Sequence, residues 1–193
     1  LVKAQVDEWK ASGELGAITF ARNHGFCGDW TAGIDVPMDA TDEPIHRVPP
    51  VGPDWLPPAY IRPYLGYLQQ YTHNVNLLRW FLDAGDDVCV RAVDLDDDGY
   101  TGVVVLDVGG TRAVLETGRV SHYRWDEHTQ IYFERGWVKT DAPPLLLRNA
   151  PATLEVYRGD SGHRRIEHFA DWGWSYKREL EHFVHCVRTG EPF

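Results

Sequence analysis

Lysine is scarce in this chain of 193 residues: only Lys3, Lys10, Lys139 and Lys177 are present, and the formal net charge is -10. Phosphate backbones and anionic bilayers are held by clustered cations, so nucleic acid and membrane surfaces are disfavoured as partners. Cysteine is equally sparse. Cys27, Cys89 and Cys186 are odd in number and widely spaced, with no secretory signal ahead of them, which predicts free thiols in a reducing cytoplasm. No uninterrupted apolar run is long enough to cross a bilayer, and there is neither an internal repeat nor a low-complexity tract. No G-x-G-x-x-G follows any predicted strand, so the chain lacks the glycine loop and helix N-terminus that cradle a dinucleotide pyrophosphate.

What stands out is Pro63 to Gly85, PYLGYLQQYTHNVNLLRWFLDAG. Tyr64, Leu65, Leu68, Val75, Leu78, Phe81 and Leu82 recur at helical spacing, with Pro63 suited to a first turn and Gly85 to the residue past the end. At about 100° per residue, Gln69, His73, Asn76 and Trp80 fall within roughly 60° of one another. A histidine and two amides on one stripe fit a satisfied buried network as well as a site. Imidazole is the side chain that titrates near neutrality, so His73 is the candidate for holding or moving a proton. We expect Gln69, His73 and Asn76 to line a concave, partly open surface with the loop 23–60 at its rim.

The remainder reads as scaffold. Residues 2–12 predict a short helix closed by Gly13, and Ala17 to Arg22 a strand. Residues 23–60 are rich in Gly, Pro and Asp with Trp30, Trp55 and Tyr60 embedded, a long connection of the kind that walls a cleft. From Asp87 the period becomes two, over Val88–Val93, Thr101–Val108, Arg112–Glu116, Gln130–Phe133, Trp137–Thr140, Thr153–Tyr157 and Arg165–Phe169. Turn signals at Asp98-Gly99, Gly109-Gly110 and Arg135-Gly136 predict antiparallel hairpins. The expected architecture is a single α+β domain over 1–193: an open, predominantly antiparallel sheet with helices 2–12, 63–84 and 175–189 packed on one face.

Three patterns imitate sites. Asp94, Asp96, Asp98 and Gly99 resemble the start of a calcium loop, but its twelfth position is Val105. Gly159-Asp160-Ser161-Gly162 resembles a nucleophile tetrad where a hairpin turn is expected. His182, His185 and Cys186 share one helix, whose Leu180, Phe183, Val184 and Val187 are expected to form its packed face. No metal site is assigned from the sequence.

The stripe segment resembles the second domain of the Gfo/Idh/MocA oxidoreductases, with Gly66 and Leu68 ahead of His73 and Leu77, Arg79, Trp80 and Leu82 behind it. Gly13 to Gly16, GELG, is similar to the G-x-L-G that leads into that domain's first strand. Tyr176 to Phe193, YKRELEHFVHCVRTGEPF, is similar to its late helix. The chain departs from the family at two aspartates, four residues before the histidine and three after it, where Gln69 and Asn76 stand.

The resemblance implies the substrate-binding and oligomerisation domain of an NAD(P)-dependent dehydrogenase acting on a sugar, polyol or sugar derivative. In that reading His73 is catalytic, and Gln69, Asn76, Arg22, His24 and Trp30 contact substrate. The cofactor, NAD or NADP, is held mainly by a preceding Rossmann domain that also carries the family's Glu-Lys-Pro lysine. Neither that domain nor the family's final helix lies within Leu1 to Phe193, so the chain reads as a trimmed fragment, inactive alone. The sheet face is the expected homo-oligomer contact. The alternative is a non-catalytic assembly or carbohydrate-binding module.

Overall fold

The computed structural model describes residues 1–28, 41–44, 48–119, 125–144, 146–148, 150–159, 164–169 and 173–192, with the backbone alone for 164–169. Three α-helices, α1 (Val2–Ser12), α2 (Ile61–Leu82) and α3 (Ser175–Thr189), accompany eight strands. These are β1 (Ile18–Cys27), β2 (Val88–Leu95), β3 (Gly102–Val108), β4 (Thr111–Arg119), β5 (Asp126–Phe133), β6 (Gly136–Ala142), β7 (Thr153–Arg158) and β8 (Arg164–Phe169). The class is α+β, as the patterning predicts.

The strands form one sheet in the order β2-β3-β4-β1-β5-β6-β7-β8. Six neighbouring pairs are antiparallel. β1 is inserted between β4 and β5, parallel to β4 with Ala21 opposite Ala113, and antiparallel to β5 with Ala21 opposite Ile131. The sequence predicts a meander and carries no local signal for this insertion. Parallel pairing joins segments about ninety residues apart, beyond the reach of turn chemistry.

One sheet face is the core. Ala21, Val104, Leu106, Val108, Ala113, Leu115, Ile131, Phe133, Val138 and Val156 alternate along their strands and are buried against Val2, Val6 and Trp9 of α1 and Tyr71, Leu78 and Phe81 of α2. Trp9 meets Phe133 edge-on at 5.2 Å. The helices are joined at their ends, because Lys3 and Lys10 both reach the carboxylate of Asp83.

Several boundaries differ from expectation. β1 continues to Cys27, so Asn23, His24 and Gly25 lie in a strand and not in the loop. Their low intrinsic strand preference is overridden by pairing on both edges. The αL residue that closes α2 is Asp83 (φ 56°), which precedes the expected Gly85, and a 3-10 turn at Pro58–Tyr60 leads into the helix. α3 buries only Cys186. Leu180, Phe183, Val184 and Val187, expected to pack, are exposed, and the buried thiol rests against His182 and the Pro192 carbonyl just past its own helix.

Candidate functional site

The side of α2 that meets the sheet carries Tyr71, Asn74, Leu78, Phe81 and Leu82. Their mean direction lies about 160° round the helix from the Gln69, His73, Asn76 and Trp80 stripe. The stripe therefore points away from the chain's own sheet. Gln69, His73 and Asn76 are exposed, and Trp80 is 57% exposed. The imidazole of His73 has no hydrogen-bond or ion-pair partner among the described residues. Asn76 accepts from Arg79 Nη1 at 3.0 Å, and Arg79 is tied in turn to the Gly85 carbonyl and to Asp86.

The burial pattern answers one of the two alternatives weighed for the stripe. The stripe is not a satisfied core network; a different set of amides plays that part. Asn74 Nδ2 donates to Asn23 Oδ1 at 2.7 Å and to Glu127 Oε1 at 2.9 Å, while Asn23 Nδ2 donates to Thr129 Oγ1 at 2.7 Å. Asn23, Asn74 and Thr129 are fully buried, so one cluster of polar side chains pins the residue next to His73 to the two central strands. The Tyr71 hydroxyl adds a second fastening, donating to the Gly118 carbonyl at 3.2 Å and accepting from the Gly118 N–H at 3.0 Å. The concave wall expected around the stripe does not correspond to either main depression of the described chain, which lie along α3 and on the open sheet face. Part of the loop does reach the start of α2, where Trp55 meets the Tyr64 ring edge-on at 6.0 Å. Trp30 lies outside the described residues.

Burial also acts on two acids under α2. It pushes the Cys27 thiol up to about 11, with the Gln70 hydrogen bond opposing, and the Tyr71 phenol up to about 12, with the Gly118 backbone opposing. A raised acid stabilises the fold fully below its unfolded value, 9.0 for the thiol and 10.0 for the phenol, and that contribution is lost as pH climbs through the folded values. The urea midpoint is expected to fall steadily from pH 9 to pH 11, with a shallower fall in Cys27→Ala. Equal slopes in the two proteins would disprove the assignment to Cys27.

Arg22 and His24 occupy a separate place. Alternation along β1 sends Ala21 and Asn23 toward the helices and Arg22 and His24 to the opposite, open face. They are not brought together with His73. There Arg22 grips Glu116 through Nε at 3.0 Å and Nη2 at 2.7 Å, and His24 Nδ1 lies 2.6 Å from the same carboxylate oxygen. Burial pushes Glu116 upward, but Arg22 and His24 outweigh it and hold the carboxylate below its usual range. His24 faces His128 across the β1–β5 pair, with ring centroids 4.6 Å apart. His128 is held below the usual imidazole range by burial first, then by Lys139 and His24. Sequence reading missed His128, Asp126 and Glu116. The β5 strand starts four residues before the predicted Gln130, and the strands that bring these side chains to His24 are about a hundred residues away.

Asp96 is a turn residue, its Oδ1 accepting from Tyr100 N at 2.8 Å and Thr101 N at 3.2 Å between β2 and β3. Most of Gly159 to Gly162 lies outside the described residues. The three cysteines are free, and no described helix is long and apolar enough to cross a membrane.

No family model and no curated protein matches the chain. Solved structures do. The ketoreductase KijD10 from Actinomadura kijaniata, a 3-ketoreductase crystallised with NADP and TDP-benzene, superposes with a TM-score of 0.59 at 14% identity over 97% of this chain and 51% of that one. A dehydrogenase (MviM) from Clostridium difficile gives 0.58 at 13% identity over 97% and 51%. An oxidoreductase from Agrobacterium radiobacter, in complex with NAD+, L-tartaric acid and magnesium, gives 0.52 at 12% identity over 98% and 52%. These neighbours are oxidoreductases of the Gfo/Idh/MocA type, and what the chain shares with them is the fold. The chain spans about half the length of each.

Proposed function

We propose that the chain is the substrate-side domain of an NAD(P)-dependent oxidoreductase that interconverts a hydroxyl and a carbonyl on a sugar, polyol or sugar derivative, with His73 at the reacting oxygen. The observation that carries this reading is the full-length match of the chain to one half of a 3-ketoreductase that holds NADP. The outward stripe of α2 supports it, because His73 is exposed with no partner among the described residues and so available to a ligand or to another domain. Gln69 and Asn76 flank it as hydrogen-bonding groups for neighbouring hydroxyls.

The described residues do not form a dinucleotide cradle. α2 opens after a 3-10 turn with no side-chain cap, and Pro63 removes one of its first backbone donors. What this chain's own residues do is hold and orient a hydroxylated substrate and move its proton at His73 Nε2 or Nδ1. The cofactor, NAD or NADP, is assigned to the other half. The reading is tested in two parts. Titration calorimetry of the chain alone with NAD+ and NADP+ is expected to show no micromolar binding. The chain joined to a nucleotide-binding half is expected to oxidise members of a sugar and polyol panel, and silence across that panel would overturn the reading.

A second role fits the open sheet face, which presents Val103, Val105 and the stacked Trp137 and Tyr157 rings among its charges. We place homo-oligomer contact there. Light scattering giving a monomer at high micromolar concentration would refute it. A non-catalytic assembly or carbohydrate-binding module is the outcome if both this contact and sugar binding are found without turnover. A cytoplasmic location is part of the same proposal.

A further inference from the structure

On the open face, at the β1–β5 pair, His24, Asp126 and His128 each present one donor atom, and the three donors lie within 4.8 Å of one another. Strand register creates the group. His24 sits directly opposite His128, and Asp126, two residues along β5, lies opposite Phe26 on the same face. Two imidazoles and one carboxylate are a donor set suited to a borderline divalent ion.

The separations favour a shared ion over direct pairing. His24 Nε2 to Asp126 Oδ2 is 3.5 Å, and His128 Nδ1 to Asp126 Oδ1 is 3.5 Å. Good N–H···O bonds close to between about 2.7 and 3.2 Å, so neither contact is one. Two donors bound tetrahedrally at the usual metal–nitrogen and metal–oxygen lengths of about 2.0–2.2 Å stand about 3.4 Å apart. Each imidazole stands at about that distance from one oxygen of the Asp126 carboxylate, His24 from Oδ2 and His128 from Oδ1, and the three donors together lie within 4.8 Å.

The second observation is the support behind His24. A carboxylate accepts, so Glu116 at 2.6 Å accepts the hydrogen bond of His24 Nδ1–H, the tautomer that puts the metal-binding lone pair of a neutral imidazole on Nε2, the atom aimed at Asp126. Arg22 fixes Glu116 from the other side with two hydrogen bonds. A ligand histidine oriented by a carboxylate on its other nitrogen is how metal sites set tautomer and ring direction. The side chains of His24 and His128 are 17% and 14% exposed and that of Asp126 45%, so the group is shielded yet open on one side. The rings stand 21° from parallel; with His24 held by Glu116, it is His128 that turns onto the common ion, about χ2, a soft torsion.

We propose that His24 Nε2, Asp126 and His128 bind one divalent transition-metal ion, of which zinc is the representative, on the open sheet face, with Glu116 and Arg22 orienting His24 and at least one coordination position left open. The site is independent of the activity assigned to α2. It lies on the opposite side of the sheet from His73, so failure of either reading leaves the other standing.

The test is zinc titration by calorimetry on chelator-stripped chain. One equivalent is expected to bind, with His24→Ala and His128→Ala each weakening it by more than the ~10- to 100-fold that loss of an orienting residue costs, and Glu116→Gln weakening it within that range. His182→Asn with His185→Asn, on α3, is expected to leave binding unchanged. Should the strand variants unfold, cobalt(II) added to the unaltered chain gives a second reading: intense visible d–d bands indicate a low-coordinate nitrogen and oxygen site, and zinc is expected to abolish them. No saturable zinc binding below millimolar, or binding that survives His24→Ala and disappears with the α3 pair, overturns the proposal.

Discussion

His73→Ala, in the two-domain oxidoreductase proposed above, is expected to lower kcat by roughly 10²- to 10⁴-fold with a much smaller change in substrate affinity. Oxidation of a carbinol or reduction of a carbonyl is slow unless the oxygen loses or gains its proton as the carbon changes state, and a positioned acid or base contributes about that factor. Among Gln69, His73, Asn76 and Trp80, His73 is the titratable side chain, and its ring is exposed with no described partner to occupy it. Gln69 and Asn76 stand where the resembling family carries aspartates, so no carboxylate of the stripe competes for the role. The pH profile of kcat/KM separates catalysis from positioning. If the variant keeps a near-normal rate, or its profile keeps the limb that His73 is assigned, the proton travels by another group and His73 only orients substrate.

The second large effect is on stability. Asn74→Leu is expected to cost about 2–4 kcal/mol, because it leaves the buried Asn23 Oδ1 without its donor and removes one partner of Glu127; a buried polar group without its partner costs about 1–3 kcal/mol. For a chain of this size, that lowers the melting temperature by roughly 5–15 °C. Leucine keeps the branched four-heavy-atom shape of asparagine, so the substitution leaves no cavity. Asn76→Ala, two residues on and exposed, is expected to move stability by less than about 0.5 kcal/mol. An Asn74→Leu protein that melts with the parent would show that the buried amide cluster contributes nothing net.

The two asparagines show what could and could not be read in advance. Helical periodicity placed α2 within two residues of its ends and grouped Gln69, His73, Asn76 and Trp80 correctly, because a helix fixes which side chains share a side. It could not say which side faced inward, since Asn74 and Gln70 on the sheet side interrupt the apolar pattern as much as the stripe does. Period-two alternation found all seven strands after α2, yet not the place of β1 among them, and so not the meeting of His24 with Glu116 and His128. A strand's faces are local facts, whereas its neighbours are global ones. The apolar stripe of α3 was legible, but its exposure depends on what covers it, which periodicity does not encode.

The central position of β1 also governs how the molecule assembles. β2 to β4 and β5 to β8 are two runs of strands joined by short connections, each able to zip up from nearby residues. In the sheet β4 and β5 do not pair with each other; Ile18–Cys27 stands between them and bonds to one on each edge. Both strand pairings of β1 are therefore of high contact order, closed across roughly 90 to 115 residues and costly in loop entropy before they are rewarded. The two half-sheets are expected to form early and wait as separate pieces with unpaired edges, with insertion of β1 as the late, rate-limiting event that makes one sheet out of two.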